Sequence, residues 1–333
     1  MDVGIGLLSA QRRPDDDRSA AAIYNELLEL GTEADRLGFD SVWTSEHHFT
    51  DDEYLSGTMP TLGALAGRTD DVEIGSAVAL TPLYDSVRLA EDAATIDALS
   101  DGRLTLGLSI GYLDSEFDAF GVPKDERVER TEDAIELLQH AWQPGPLNYE
   151  SEFHPISPET TVTPTPDTPP RLMIGGLARP AVRRAARMGD GWCANETLSI
   201  DDIKTRQDDI EHVRADEGID GEFTTYVIQH GFVGDSYEEA WETIRESYLY
   251  QQRKYVEWDE SRSVEDLPDD WEQELEDRAI VGTPEDVREE LADYRDALGD
   301  DTHFIFRMYH PGIGTDTMTE CLERVSDEVL PYI

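Results

Sequence analysis

Three consecutive residues, Glu46-His47-His48, combine one carboxylate with two imidazoles. Histidine exchanges protons near neutral pH, so the run can supply an acid, a base or a hydrogen-bond donor. Adjacent side chains of an extended chain point to opposite sides. The two histidines therefore do not readily bind one metal ion together, and no His-Glu-x-x-His spacing exists to bind it from a helix. One reading makes them a packed and a surface histidine. The other turns His47 into a pocket as acid or base, and its place just after the apolar run Phe39 to Thr44 favours that reading.

Other apolar runs end in residues of comparable interest. Ala77-Val78-Ala79-Leu80-Thr81-Pro82 is small enough to admit a flat ligand, and it also reads as an ordinary buried strand with a proline stop. Ser109-Ile110-Gly111-Tyr112 closes another run, and its two nearby glycines do not have the dinucleotide-binding spacing. Gly175-Gly176-Leu177-Ala178-Arg179 leads straight into a helical pattern, where converging backbone N–H groups suit a phosphate. Arg183, Arg184 and Arg187 follow, and Arg179, nearest the helix start, is the better phosphate ligand. Arg12 and Arg13 are weaker candidates. Arg307 and His310 end the last apolar run as candidates for a substrate pocket, or as structural ion-pair partners.

These runs need a scaffold that gathers their ends. Strand patterns at Val3–Leu8, Phe39–Thr44, Val72–Leu80, Arg103–Ser109, Arg171–Ile174, Gly191–Ala194, Thr224–Val233 and Phe304–Met308 alternate with amphipathic helical patterns. Gly38 stops the first helix, and Thr283-Pro284-Glu285 opens a late one. Eight strands with intervening helices predict an α/β fold, a (β/α)8 TIM barrel of one domain over residues 1–333, in preference to an open doubly wound sheet. Extra chain falls after the fourth and seventh strands: a Pro- and Thr-rich excursion at 148–170, read as a hairpin, and an acidic insertion at 237–278. In such barrels the chemistry sits at the strand ends, which selects the residues above.

The chain carries 74 acidic against 27 basic residues over 333 positions, a formal net charge of −47. The acids are interleaved with regular apolar positions, which describes an acidic coat on a folded chain and points to a halophilic source. With no basic stripe, nucleic acid and anionic membranes are excluded as partners. No apolar stretch is long enough to span a bilayer and the first residues read as a strand, so the expected location is cytoplasmic. Cys193 and Cys321 are too few for a disulfide framework or a tetrahedral metal site, and read as small core residues.

Taken in order, the segments resemble the luciferase-like monooxygenase family, which includes bacterial luciferase and oxidoreductases using the deazaflavin coenzyme F-420. The resemblance spans nearly the whole chain. It rests on Gly38 to Trp43 leading to Glu46-His47-His48-Phe49, on Ile74-Gly75 through Pro82, and on Arg88 to Glu91 with Leu99 to Arg103. It continues through Glu116 to Gly121, Gly175-Gly176, Gly189 to Trp192 and Val281 to Glu285. The resemblance implies a barrel with a flavin or deazaflavin ring at the strand ends and His47 as the active-site histidine. Ala77-Val78 takes the place of a non-prolyl cis peptide beneath the ring. It further implies cofactor contacts from Glu46, Ser109, Gly111, Gly175, Gly176, Leu177 and Arg179, and a substrate pocket at Tyr112, Arg307 and His310. No metal is implied. A homodimer and a flavin or F-420 reductase partner are also implied. Luciferase-type members often carry an arginine where Ile110 stands, which favours coenzyme F-420, with FMN as the alternative. Glucose-6-phosphate dehydrogenases of the family carry a glutamate where Tyr112 stands, so that substrate is not carried over. The rivals are a metal-dependent barrel hydrolase and a non-catalytic binding barrel.

Overall fold

The computed structural model describes residues 1–157 and 159–333. Each apolar run becomes a parallel strand: β1 Asp2–Leu8, β2 Ser41–Thr44, β3 Glu73–Ser76, β4 Leu104–Ser109, β5 Arg171–Gly175, β6 Gly191–Ala194, β7 Thr224–Val233 and β8 Thr302–Arg307. Consecutive strands pair around the ring, and β1 pairs with both β2 and β8, so the sheet closes into a (β/α)8 barrel. After β3 the chain crosses the Ala77–Val78 peptide, which is cis, and re-joins the sheet as Ala79–Leu80 beside Leu108 and Ser109 of β4. A closed parallel sheet needs apolar residues on both faces. Outward residues such as Val3, Val42, Ile74 and Leu106 pack beneath the helices, while Leu7, Trp43, Met173, Tyr226, Ile228 and Ile305 fill the barrel interior.

The interior fits because small residues stand opposite large ones. A Cβ on Gly75 would come within 2.2 Å of the Trp43 ring, so only glycine admits that indole. Trp43 donates from Nε1 to Ser41 Oγ at 2.6 Å, and Ser41 lies 2.6 Å from His303 Nε2, which satisfies the polar atoms trapped there. Helix boundaries follow local chemistry. Ser19 caps the Ala20–Leu37 helix, Gly38 ends it in the left-handed region, and Thr283 with Asp286 forms a reciprocal capping box before Pro284.

Three local elements differ from the sequence expectations. The 148–170 segment holds no strand among its described residues, so the expected hairpin is absent. Its chain instead runs irregularly, and Ser151 and Tyr149 bind Asp133. The loop after β4 contains a two-turn helix, Asp114–Phe120. A three-residue strand, Ile280–Gly282, extends the end of β7. The 237–278 insertion is a long helix, Tyr237–Trp258, followed by irregular chain and a short helix at Trp271–Glu276. Gln251 on the long helix bonds Gln11 at 3.1 Å, and Gln11 bonds Asp52 at 2.9 Å. That buried chain fixes the insertion over the ends of β1 and β2, above the barrel mouth. Among the described residues no helix is long and apolar enough to cross a membrane.

Candidate active site

The strand ends and the insertion enclose a cavity of about 780 Å³, within the range that ordinarily holds a cofactor or drug-sized ligand. Its floor is apolar: Leu7, Ala77, Val78, Cys193 and Ile228. Burial pushes the Cys193 thiol up to about 12, so it serves as apolar surface and not as a nucleophile. Cys193 is thus a cavity residue, while Cys321 lies in the core and accepts from the Val233 N–H at 3.2 Å.

His47 lines this cavity and is 7% exposed. Its Nδ1 lies 3.0 Å from Glu116 Oε1, and the same oxygen accepts the His48 backbone N–H at 2.9 Å. Glu116 is fully buried and its Oε2 has no partner among the described residues. A carboxylate accepts only, so Nδ1 carries the proton in this contact and Nε2 is the nitrogen left for exchange. The rings of Tyr54, Tyr112, Tyr255 and Trp258 surround the imidazole with centroids 5.0 to 5.9 Å away. Sequence reading missed Glu116 as a functional residue. It sits on the two-turn helix hidden in a polar loop, and the available signal was the acidic first turn with Gly121 as a left-handed stop.

Glu46 also lines the cavity, and it is fully engaged. It accepts from Tyr84 Oη at 2.5 Å and the Leu80 N–H at 3.3 Å, and it lies 3.1 Å from His48 Nε2. Burial, and then Glu46 itself, hold the Tyr84 hydroxyl far above its ordinary range, so it stays a donor. Glu46 therefore ties β2 to the segment after the cis peptide. His48 packs between Phe49 and Phe120, away from His47.

Of the other expected residues, Ala77, Val78, Ser109, Tyr112, Gly175, Gly176, Leu177 and Arg307 line the cavity. Gly111, Arg179 and His310 do not. Gly111 adopts a left-handed φ of 67° and packs on Phe117. His310 is fully buried and bonds the Gly231 carbonyl at 3.1 Å, behind the cavity wall. Arg179 has a side chain 70% exposed and shares Asp209 with Arg183, both guanidiniums reaching that carboxylate at 2.9 Å. Arg183 and then Arg179 hold the Asp209 carboxyl well below its usual range. Arg179 is thus a helix-to-helix ion-pair partner in this structure and stands outside the cavity lining. Arg179→Ala is expected to leave the dissociation constant of the bound cofactor unchanged within about twofold, because exposed ion pairs contribute little. A tenfold loss in a cofactor titration would restore the phosphate role.

Residues from the insertion complete the wall. Tyr255, Gln252, Asp259 and Trp271 face the cavity beside Arg307 and Glu196. Among the described residues no group of three or more histidine, cysteine and carboxylate side chains could hold a metal ion.

The site thus joins a closed parallel barrel, a histidine–carboxylate pair and an apolar floor at the strand ends. The family model for luciferase-like monooxygenases matches residues 1–301, and the chain belongs to that family. It is 32% identical over 176 residues to an F420-dependent glucose-6-phosphate dehydrogenase of Microbacterium testaceum, a match covering 50% of this chain and 52% of that one. It is 29% identical over 169 residues to the oxygenase component of a flavin-dependent trigonelline monooxygenase of Acinetobacter baylyi, covering 50% and 46%. The chain thus spans about half the length of the curated relatives it matches. Its fold is shared along its whole length with the monooxygenase RslO1 of Streptomyces bottropensis, at a TM-score of 0.88 and 24% identity, covering 99% of each chain.

Proposed function

We propose that this protein is an oxidoreductase that binds coenzyme F-420 in the cavity and exchanges a proton with its substrate through His47. The ring fits the residues present. Leu7, Ala77, Val78, Cys193 and Ile228 offer a flat apolar floor, and a Cβ at Gly175 would come 3.2 Å from Val78 and crowd that floor. Ser109 and the backbone of Gly175 to Leu177 would hold the polar edge and phosphate end. When bound, the deazaflavin supplies hydride chemistry. The chain's own part is to exclude water with the insertion, to fix the ring over the floor, and to hold His47 through Glu116 so that Nε2 is available.

The observation that carries the choice of cofactor is what stands at the two positions where a phosphate-binding arginine is expected. Ile110 stands where an arginine often serves FMN, and Arg179 is tied to Asp209. Backbone N–H donors at that turn suit the singly charged phosphodiester of F-420 better than the dianionic phosphate of FMN. The second reading is an FMN-dependent monooxygenase supplied with reduced flavin by a partner reductase, which the likeness to the trigonelline oxygenase component supports. Titration of the purified protein with each cofactor at molar salt separates them. Saturable F-420 binding with weak FMN binding is the expected result, and tight FMN binding without F-420 binding overturns it.

A further inference from the structure

We propose that Arg307, Tyr255 and Tyr54 are positioning residues for His47, joined in a one-way hydrogen-bond chain that fixes the plane of its imidazole. The inference rests on the reading of His47 as the proton-exchanging group, and adds what keeps that ring aimed.

Three separate parts of the molecule meet in this chain. Arg307 ends β8 and is 1% exposed, Tyr255 comes from the long insertion helix, and Ser45 and Tyr54 follow β2. The direction of each bond follows from donor chemistry. A guanidinium only donates, so Arg307 Nη2 gives a proton to Tyr255 Oη at 2.9 Å. Tyr54 Oη gives its own proton to Ser45 Oγ at 2.6 Å. The 3.0 Å contact between the two phenols therefore runs from Tyr255 to Tyr54. Each hydroxyl accepts from one neighbour and donates to the next, so neither ring can swing without breaking two bonds. A cation at the head strengthens the bonds that follow it. Arg307 is itself anchored, because its Nη1 donates to Glu196 Oε1 at 3.2 Å.

These two pinned rings flank His47. Tyr54 stands nearly perpendicular to the imidazole at 81°, with centroids 5.0 Å apart, and Tyr255 lies 5.9 Å away at 58°. Trp258 closes against both tyrosines at 5.8 and 5.4 Å. Glu116 meets the ring at Nδ1, and contact at one atom does not by itself fix the plane of the ring. The tyrosines supply that constraint, so Nε2 keeps one heading. Glu116 thus selects the nitrogen that carries the proton, and the chain selects where the other one points. Stability does not account for a cation at the head. Taking such a pair out of water costs about what its attraction returns, so packed apolar side chains would stabilise the wall as well. The chain instead leads to Ser45, two positions before His47.

Histidine ring NMR on the full chain at molar salt reads the surroundings of His47 without cofactor or substrate, its signals being those lost in His47→Asn. Tyr54→Phe and Tyr255→Phe keep both rings and delete one link each. Either variant is expected to displace the His47 signals while Nδ1 stays the protonated nitrogen. Turnover should fall about tenfold, with KM and cofactor affinity within about twofold. Because both variants cut one chain, the double variant should do no more than either alone. Tyr248→Phe is the control: it removes a hydroxyl of the same helix that has no partner among the described residues, and should leave the His47 signals in place. Unmoved His47 signals in both single variants, or effects that add in the double variant, overturn the proposal. That result with normal F-420 binding sinks this inference alone. Displaced, non-additive His47 signals in a protein that binds neither F-420 nor FMN keep the chain and sink the redox reading instead.

Discussion

Turnover falls by about 10²- to 10⁴-fold in His47→Asn, with cofactor affinity within a few-fold of the unaltered protein; that is the size expected for a lost general acid or base. The expectation follows from geometry. His47 is the histidine of the cavity lining, its Nδ1 is fixed by Glu116 at 3.0 Å, and the apolar floor that would hold the ring does not depend on it. Glu116→Gln should lower turnover less, and should move the pH–rate profile as well. The amide oxygen still meets Nδ1 and the His48 N–H, but it brings no negative charge beside the imidazole. A simple packing role for Glu116 would alter stability without moving that profile. The measurement is steady-state kinetics across pH with a substrate found by screening, beside a cofactor titration of each preparation. Unchanged turnover in His47→Asn would transfer the proton to another group.

A second large effect concerns stability in acid. His230, His303 and His310 are buried. Burial lowers all three, His303 to about 3 and His310 to about 4, with Arg171 adding to the first and Arg307 to the second. A histidine freed by unfolding binds its proton near pH 6.5. Between that value and about pH 4 the unfolded chain therefore holds more protons than the native one, and stability must fall as pH falls. Each such group steepens the dependence by ~1.4 kcal/mol per pH unit. Asp52 and Glu73, raised by burial, keep protons in the native state and work in the opposite direction, whereas Asp16 and Asp209, lowered by arginine partners, add to the slope towards pH 4. Denaturant unfolding at fixed high salt between pH 4 and 7 reads the slope directly. His310→Gln keeps a donor for the Gly231 carbonyl and should reduce the slope by about one proton. An unchanged slope would mean that His310 is protonated in the native protein.

The barrel was legible because its strands are short apolar runs bounded by glycine and proline, and its helices carry strong stops such as Gly38 and the Thr283 box. Residues at strand ends were legible for the same reason: once the strand is placed, Glu46, His47, Ser109, Gly175 and Arg307 fall at the mouth. What stayed hidden depends on long-range packing. Arg179 stood out as one cation among few, but its partner Asp209 lies thirty positions away, and only the packing of two helices joins them. His310 follows Arg307 by three residues, yet the chain turns after β8 and buries it behind the wall. Glu116 lay in seven residues too polar to show a period, and Tyr255 in an insertion whose docking no local pattern records. The 148–170 stretch shows the reverse error. Its richness in threonine and proline suggested a hairpin, but its described residues meet no neighbouring strand to pair with.

The buried Gln251–Gln11–Asp52 link has a further meaning for how this site is divided. His47, Glu116 and the apolar floor come from the barrel and its strand-end loops, whereas Gln252, Tyr255, Asp259 and Trp271 arrive together on one continuous stretch. The two parts of the chain are joined by a clasp of two amides and one carboxylate. Under the proposed function, an exchange of that stretch that kept the clasp would alter which ligands fit and leave the His47–Glu116 pair in place.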